Sequence, residues 1–314
     1  MSNALAMLSS PRLWICRSDR TFARTGNAVT ARDPRLNAYR PDLADARLQG
    51  AVEAARFVAG RPARIGVAVA DVRKAASSDA GVNTQFLYGD DVLVFETEKG
   101  WSWVQGERDG YVGYVAQDRL AGRDAPPTHV VRVPRTFLYP GPDLRFPISG
   151  RLSMGSRVCV TGSAETRGTH YAVLSSGEAV IAGHLRPVGD HTADYVTVAE
   201  TFLETPYLWG GASGFGIDCS GLVQLAMHMA GSDVLRDSDM QAASIGEPFE
   251  PGPGFAGLRR GDLVFWKGHV AIMTDDRNMI HANGHTMTVA REGLAEAVER
   301  IGYLYGGPTG FRRP

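Results

Sequence analysis

Tyr207-Leu208-Trp209-Gly210-Gly211-Ala212-Ser213-Gly214-Phe215-Gly216-Ile217-Asp218-Cys219-Ser220-Gly221-Leu222-Val223 runs from an aromatic, glycine-rich loop straight into an apolar helical repeat, with a cysteine at the junction. From Asp218 onward Leu222, Val223, Leu225, Ala226, Met229 and Ala230 recur at helical spacing, and Gly231 supplies a stop. Asp218 is suited to cap the first free amides, which leaves Cys219 in the opening turn. Unpaired N–H groups and the positive end of the helix dipole favour thiolate there, so Cys219 is expected to ionise more readily than a free cysteine. The alternative is a small apolar residue that merely fills the junction.

A cysteine nucleophile needs a base, and the base needs an orienting partner. Gly261–Trp266 reads as a turn entering a strand, Lys267–Met273 as the next strand and, after the polar Thr274–Asn278, Met279-Ile280-His281-Ala282 as its hairpin partner. A hairpin centred on Asp275 sets His269 and His281 directly opposite, each six positions from that centre. Opposed residues share a face with Cβ atoms roughly 4.5–5.5 Å apart, so one imidazole can orient the other while the first faces Cys219. No cofactor and no metal site are expected, because the histidines lack ligand spacing and His285 falls past the strand end.

Tyr-Leu-Trp-Gly-Gly, Asp-Cys-Ser-Gly-Leu-Val, Arg-Gly-Asp-Leu-Val-Phe-Trp, Gly-His-Val-Ala-Ile and Met-Ile-His-Ala, in this order, resemble the NlpC-type cell-wall cysteine peptidases of the papain-like superfamily, which hydrolyse bonds in murein stem peptides. The resemblance covers residues 193–314 and implies Cys219 as nucleophile, His269 as base and His281 as the third, orienting residue. The chemistry that follows is thiolate attack on the carbonyl, proton transfer by His269 to the leaving amine, and release of the acyl-enzyme by water. The Cys219 amide is the natural oxyanion donor. Tyr207 either adds its hydroxyl or packs in the loop. Asp218 and Ser220 flank the nucleophile and are placed to receive a substrate amine or amide, with capping a compatible role for Asp218. Trp209 of the same loop is counted with the substrate contacts.

A chain of 314 residues suggests two or more domains at roughly 150 residues each. With 44% hydrophobic and 21% charged residues and a net charge of −1, it has the composition of a folded globular protein without a field to recruit nucleic acid or anionic membrane. Cys16, Cys159 and Cys219 are odd in number and unpaired in spacing, which argues against a disulfide framework. Cys159, between Val158 and Val160, reads as a small strand residue. No apolar run reaches the length of a membrane span. The apolar Ala4–Leu8 precedes the first positive charge, Arg12, the reverse of a secretory leader, so a cytoplasmic protein is expected.

Residues 1–60 are expected to form an arm or short helix, with Leu43, Leu48, Val52, Ala55 and Val58 as its apolar positions. From Arg61 short alternating strands follow one another, and the spacing predicts a small barrel over 61–122. Leu87-Tyr88-Gly89-Asp90, Trp101-Ser102-Trp103-Val104 and Asp109-Gly110-Tyr111-Val112-Gly113-Tyr114-Val115 resemble bacterial SH3-like domains. Past the linker at Arg123–Pro127 the texture resumes, and 126–188 is read as a second, more diverged copy. A helix over Asp194–Leu203 then opens the last domain, 193–314. The expected fold is an α+β papain-like catalytic domain preceded by two small all-β SH3-like barrels.

Family members of that layout resemble the γ-D-glutamyl-L-diamino-acid endopeptidases of murein-peptide recycling, where a barrel closes one end of the groove and admits only a free N-terminal L-Ala. The resemblance places Tyr111 at that end, unless it belongs to the barrel core. Asp79 either pairs with the ammonium or is a solvated turn residue, and Ser238 either contacts substrate or caps a helix. The partner is then the murein stem peptide L-Ala-γ-D-Glu-diamino acid. Two alternatives remain: an exported hydrolase that acts on intact wall through wall-binding barrels, and a non-catalytic peptidoglycan-binding protein. The second has no use for a complete Cys-His-His set.

Overall fold

The computed structural model describes residues 32–314, so Cys16 and the stretch Ala4–Leu8 lie outside the described residues. No helix spans Asp42–Gly60. Ala44–Asp45 pairs in parallel with Phe57–Val58, and between them runs only a 3-10 turn, Ala46–Leu48, capped by Asp45. Tertiary packing outweighs propensity here: Ala38 and Leu43 are buried against Phe95, Trp103 and Val112, and Gly50 reverses the chain at φ 80°.

Seven antiparallel strands follow, in the spatial order Val82–Leu87, Val69–Arg73, Val112–Ala116, Trp101–Gly106, Asp91–Glu98, Arg61–Ile65 and Leu120–Ala121. Their alternating inward residues, among them Ile65, Val72, Phe86, Val92, Val104 and Val115, form one core. Residues 129–187 build three smaller antiparallel sheets around a separate core that includes Val131, Leu152, Val158, Leu174 and Val180. Cys159 is half-buried at the break between Arg157–Val158 and Val160–Thr166.

The remainder holds α1 (Tyr195–Glu200), α2 (Cys219–Met229), α3 (Ser238–Ser244) and α4 (Leu294–Tyr305). Its strands are β1 (Glu247–Pro248), β2 (Leu263–Trp266), β3 (His269–Met273), β4 (Asn278–Asn283), β5 (Thr288–Gly293) and β6 (Gly310–Arg313), in the order β1-β6-β2-β3-β4-β5. The sheet is covered on both faces, as its unbroken apolar strands require. Leu263, Phe265, Val270, Ile272, Ile280 and Ala282 pack with Leu222, Val223 and Ala226 of α2. The alternate residues Val264, Trp266, Ala271, Met273 and Met279 pack with Leu294, Ala297 and Ile301 of α4. α2 is buried on nearly every side, from Cys219 to Met227, and each fully buried Leu or Val there is worth about 1.5–3 kcal/mol.

The hairpin register differs from the expected one. Met273 pairs with Met279 and Ile272 with Ile280, which centres the turn on Asp276 instead of Asp275. Asp275 is the cause, because its Oδ1 accepts the amides of Arg277 and Asn278, both at 2.8 Å, and folds the loop around itself. Continued along the strands, this register sets Ala271 opposite His281, and His269 becomes its diagonal neighbour. Parity is preserved, so both rings still share a face.

Candidate active site

The helix that carries the cysteine starts where a polar cluster fixes the preceding loop. Asp218 caps α2, accepting the Gly221 amide at 2.7 Å through Oδ1 and the Gly210 amide at 3.0 Å through Oδ2. Gly221 must be glycine, since a Cβ there would lie 2.4 Å from the Gly211 carbonyl oxygen. Arg236, 1% exposed, donates to both Asp218 oxygens (3.0 and 2.6 Å), to Ser220 Oγ (2.8 Å) and to Thr84 Oγ1 of the seven-stranded sheet (2.7 Å). Burial works against the Arg236 charge, and the Asp218 carboxylate more than offsets it. Asp218 and Ser220 are therefore occupied by protein partners. For Asp218 the cap and counter-ion role is the one displayed.

Cys219 stands in the first turn of α2 with its sulfur accepting the Val270 amide, which seats it against the backbone immediately after His269. His269 Nε2 lies 2.9 Å from His281 Nδ1, the ring centroids being 5.1 Å apart. His281 Nε2 is 3.2 Å from Glu292 Oε2, within charge contact although the N–H is not aligned as a hydrogen bond. Arg300 of α4 holds the same carboxylate at 2.9 and 2.5 Å. Contact with His281 and Arg300 pulls Glu292 down to about 2, so it is a permanent anion. That anion fixes the proton on His281 Nε2 and leaves Nδ1 to accept from His269 Nε2–H. His269 Nδ1 then carries the free lone pair.

The expectation of a readily ionised thiol is not met. Burial, followed by the Asp218 charge, pushes Cys219 up to about 12, against the Val270 and Ser220 amides and Arg236. Burial, reinforced by His281 and Arg300, pushes His269 down to about 3. These shifts favour the pair thiol and neutral imidazole in the free protein. Alkylation of Cys219 in the free protein is accordingly expected to climb steadily from pH 6 to pH 10, with no plateau at mildly acidic pH. A rate already maximal at pH 6 would show a preformed thiolate.

Cys219 and His269 share a cleft of about 350 Å³ that also takes in Tyr207, Trp209, Tyr111, Asp237 and Ser238. Burial and the neighbouring Cys219 push Tyr207 up to about 12, so its hydroxyl stays protonated and able to donate. Trp209 is 74% exposed at the rim. Tyr111, 2% exposed, is packed and also lines the cleft, its hydroxyl donating to Asp237 Oδ2 at 3.1 Å. Ser238 lies at the start of α3, but Asp237 occupies the cap position. Asp79 is not brought to the cleft; it is exposed and held by its neighbour Ser77.

Sequence reasoning did not assign a role to Arg35, Arg236, Glu292 or Arg300. Arg35 lines the cleft and binds Asp237 and Asp239, each at 2.8 Å. Arg35 lies 202 residues from Asp237 and Arg236 lies 152 from Thr84, beyond any local pattern, whereas Arg300 is only eight from Glu292. Among the described residues there is no helix long and apolar enough to cross a membrane, and no cluster of His, Cys, Asp and Glu that would hold a metal.

Comparison with known proteins accounts for the layout. Residues 204–298 match the NlpC/P60 family, and residues 72–120 match the bacterial dipeptidyl-peptidase SH3 domain. A γ-D-glutamyl-L-lysine dipeptidyl-peptidase of Bacillus cereus is 28% identical over 232 residues, 64% of this chain and 67% of that one. Dipeptidyl-peptidase 6 of Lysinibacillus sphaericus is 28% identical over 255 residues, 70% of this chain and 91% of that one. The crystal structure of an NlpC/P60 family protein from Bacillus cereus superposes with a TM-score of 0.66 at 23% identity, covering 81% of this chain and 99% of that one, and so shares the fold. Residues 204–298 therefore form an NlpC/P60 domain of papain-like fold, which follows a β-rich region containing a bacterial SH3 domain.

Proposed function

We propose that this protein is a cysteine endopeptidase that cuts the γ-D-Glu–diamino acid bond of murein stem peptides bearing a free N-terminal L-Ala. The observation that carries the reading is the cleft shared by Cys219 and His269, with His281 at 2.9 Å behind the base. His269 Nδ1 takes the thiol proton as Sγ attacks the carbonyl, then returns it to the leaving amine; water hydrolyses the thioester by the reverse transfer. The Cys219 amide and the Tyr207 hydroxyl stabilise the oxyanion. Trp209 flanks the bound chain, and Ser238 contacts the residue on the acyl side.

Beyond the thiol the cleft runs to Tyr111, Asn83 and Arg35, residues from outside the papain-like domain. A groove walled at that end suits short released peptides, as in recycling inside the cell, better than continuous wall. The substrate ammonium is assigned to Tyr111 and to Asp237 Oδ1, since Tyr111 and Arg35 engage only Oδ2 of that carboxylate, Asp79 lies elsewhere and both oxygens of Asp218 are occupied. The three sheets of 129–187 are assigned to a second, diverged SH3-like module, with domain limits of 61–122, 126–188 and 193–314. The names of the relatives, which specify γ-D-glutamyl and dipeptidyl chemistry, support the substrate class.

Mass spectrometry of defined muropeptides tests the reading. L-Ala-γ-D-Glu-diamino acid tripeptide is expected to yield the L-Ala-D-Glu dipeptide. The N-acetylated tripeptide and purified sacculi are expected to react at least about 100-fold more slowly, the cost of burying an unpaired group or clashing with a closed end. Efficient release from sacculi would support the wall hydrolase instead. Binding of all three without any cleavage would support a non-catalytic binding protein.

A further inference from the structure

The cleft does not end at the thiol. Tyr207, Trp209, Gly268, His269, Asn283 and Gly284 line both the half that leads to Tyr111 and a second half of about 550 Å³ on the opposite side. If the first half holds the acyl part of the substrate, as proposed above, the second receives the amine that leaves.

The two halves differ in charge. Asp218, Asp237 and Asp239 stand in the walls of the first. In the second no carboxylate appears among the described wall residues, while Lys267 and Arg300 do, beside His285 and Tyr305. Arg300 is committed to Glu292. Lys267 is exposed and has no ion pair or side-chain hydrogen bond among the described residues. Its backbone is fixed, because Lys267 and Gly268 form the two-residue turn between the paired Trp266 and His269, with Gly268 at φ 75°. A free ammonium is thus anchored two residues from the base, on the leaving-group side.

We propose that Lys267 selects the leaving group: it binds a carboxylate at the far end of the diamino acid side chain and so favours a diamino-dicarboxylic acid over lysine. Both leaving groups expose a distal ammonium, but only the dicarboxylic one adds a carboxylate beside it. With lysine the distal ammonium faces Lys267 alone, and like charges repel.

This inference rests on the peptidase reading, and the test separates the two. kcat/KM is measured for L-Ala-γ-D-Glu-meso-diaminopimelate and L-Ala-γ-D-Glu-L-lysine with the unaltered protein and with Lys267→Arg, Lys267→Ala and Lys267→Glu. The unaltered protein and Lys267→Arg are expected to prefer the dicarboxylic peptide by about tenfold, equal to about 1.4 kcal/mol. Lys267→Ala is expected to cut the preference to within about threefold, and Lys267→Glu to reverse it. Cleavage of both peptides at equal rates by the unaltered protein, or a preference that survives Lys267→Glu, overturns the role of Lys267 and leaves the peptidase reading standing. Cleavage of neither peptide overturns both.

Discussion

Cys219→Ala is expected to slow hydrolysis of the tripeptide by at least about 10⁴-fold, and His269→Ala to do so comparably, with the double variant no slower than either single one. The non-additivity is the informative part. Thiol and imidazole act as one unit: without the ring nothing removes a proton from a thiol pushed up to about 12, and without the sulfur the ring has nothing to activate. The sulfur gives up only its contacts with the Val270 and Ser220 amides, so the alanine variant is expected to melt within a few degrees of the unaltered protein. Steady-state rates and a melting curve on the three variants decide the matter. A Cys219→Ala protein that retains a tenth of the rate, or losses that multiply in the double variant, would mean that another group performs the attack.

Arg236→Ala is expected to cost about 3–5 kcal/mol of folding free energy, the range for stripping one partner from a buried ion pair. Four connections go at once: the charge opposite Asp218, the bond to Ser220 beside Cys219, the bond to the Gly211 carbonyl and the bond to Thr84 in the neighbouring sheet. The paired change Arg236→Met with Asp218→Asn is expected to recover about half of the loss, since it leaves no buried charge without a partner. Urea titrations of the three proteins provide the comparison. A loss below about 1 kcal/mol for Arg236→Ala would place the guanidinium in water, contrary to its 1% exposure.

Elements with short-range causes were legible before any coordinates. The start of α2 could be read because an acidic cap, an apolar repeat and a terminal glycine all act within a dozen residues. The strands of the seven-stranded sheet announced themselves by alternation. The hairpin pairing is shifted by two residues, its centre by one, because it is decided by one carboxylate, Asp275, folding onto amides two and three residues ahead. Pattern alone gives the parity of a strand but not that detail. Of the arm or short helix expected over residues 1–60, the described part is an arm with only a 3-10 turn, because Leu43 found a better neighbour in Trp103 than in its own turn. The ionisation of Cys219 was misjudged because the dipole argument knows nothing of what covers the sulfur. Arg35 and Arg236 act across long stretches of chain, so no local window connects them with their partners, while Glu292 and Arg300 lie near theirs but are joined only once β5 and α4 have folded back on β4.

The thiol arrives on a helix that covers one face of the sheet, whereas His269 and His281 keep the alternation of Ala271, Met273 and Met279, whose side chains look toward the helix on the other face. Reactants from opposite sides of a single layer meet only at its margin. A slip of β4 by one residue against β3 would send His281 through to the other side and part it from His269. On the function proposed above, activity would therefore also report correct strand pairing: a chain mispaired in that hairpin would leave His269 without the ring that orients it.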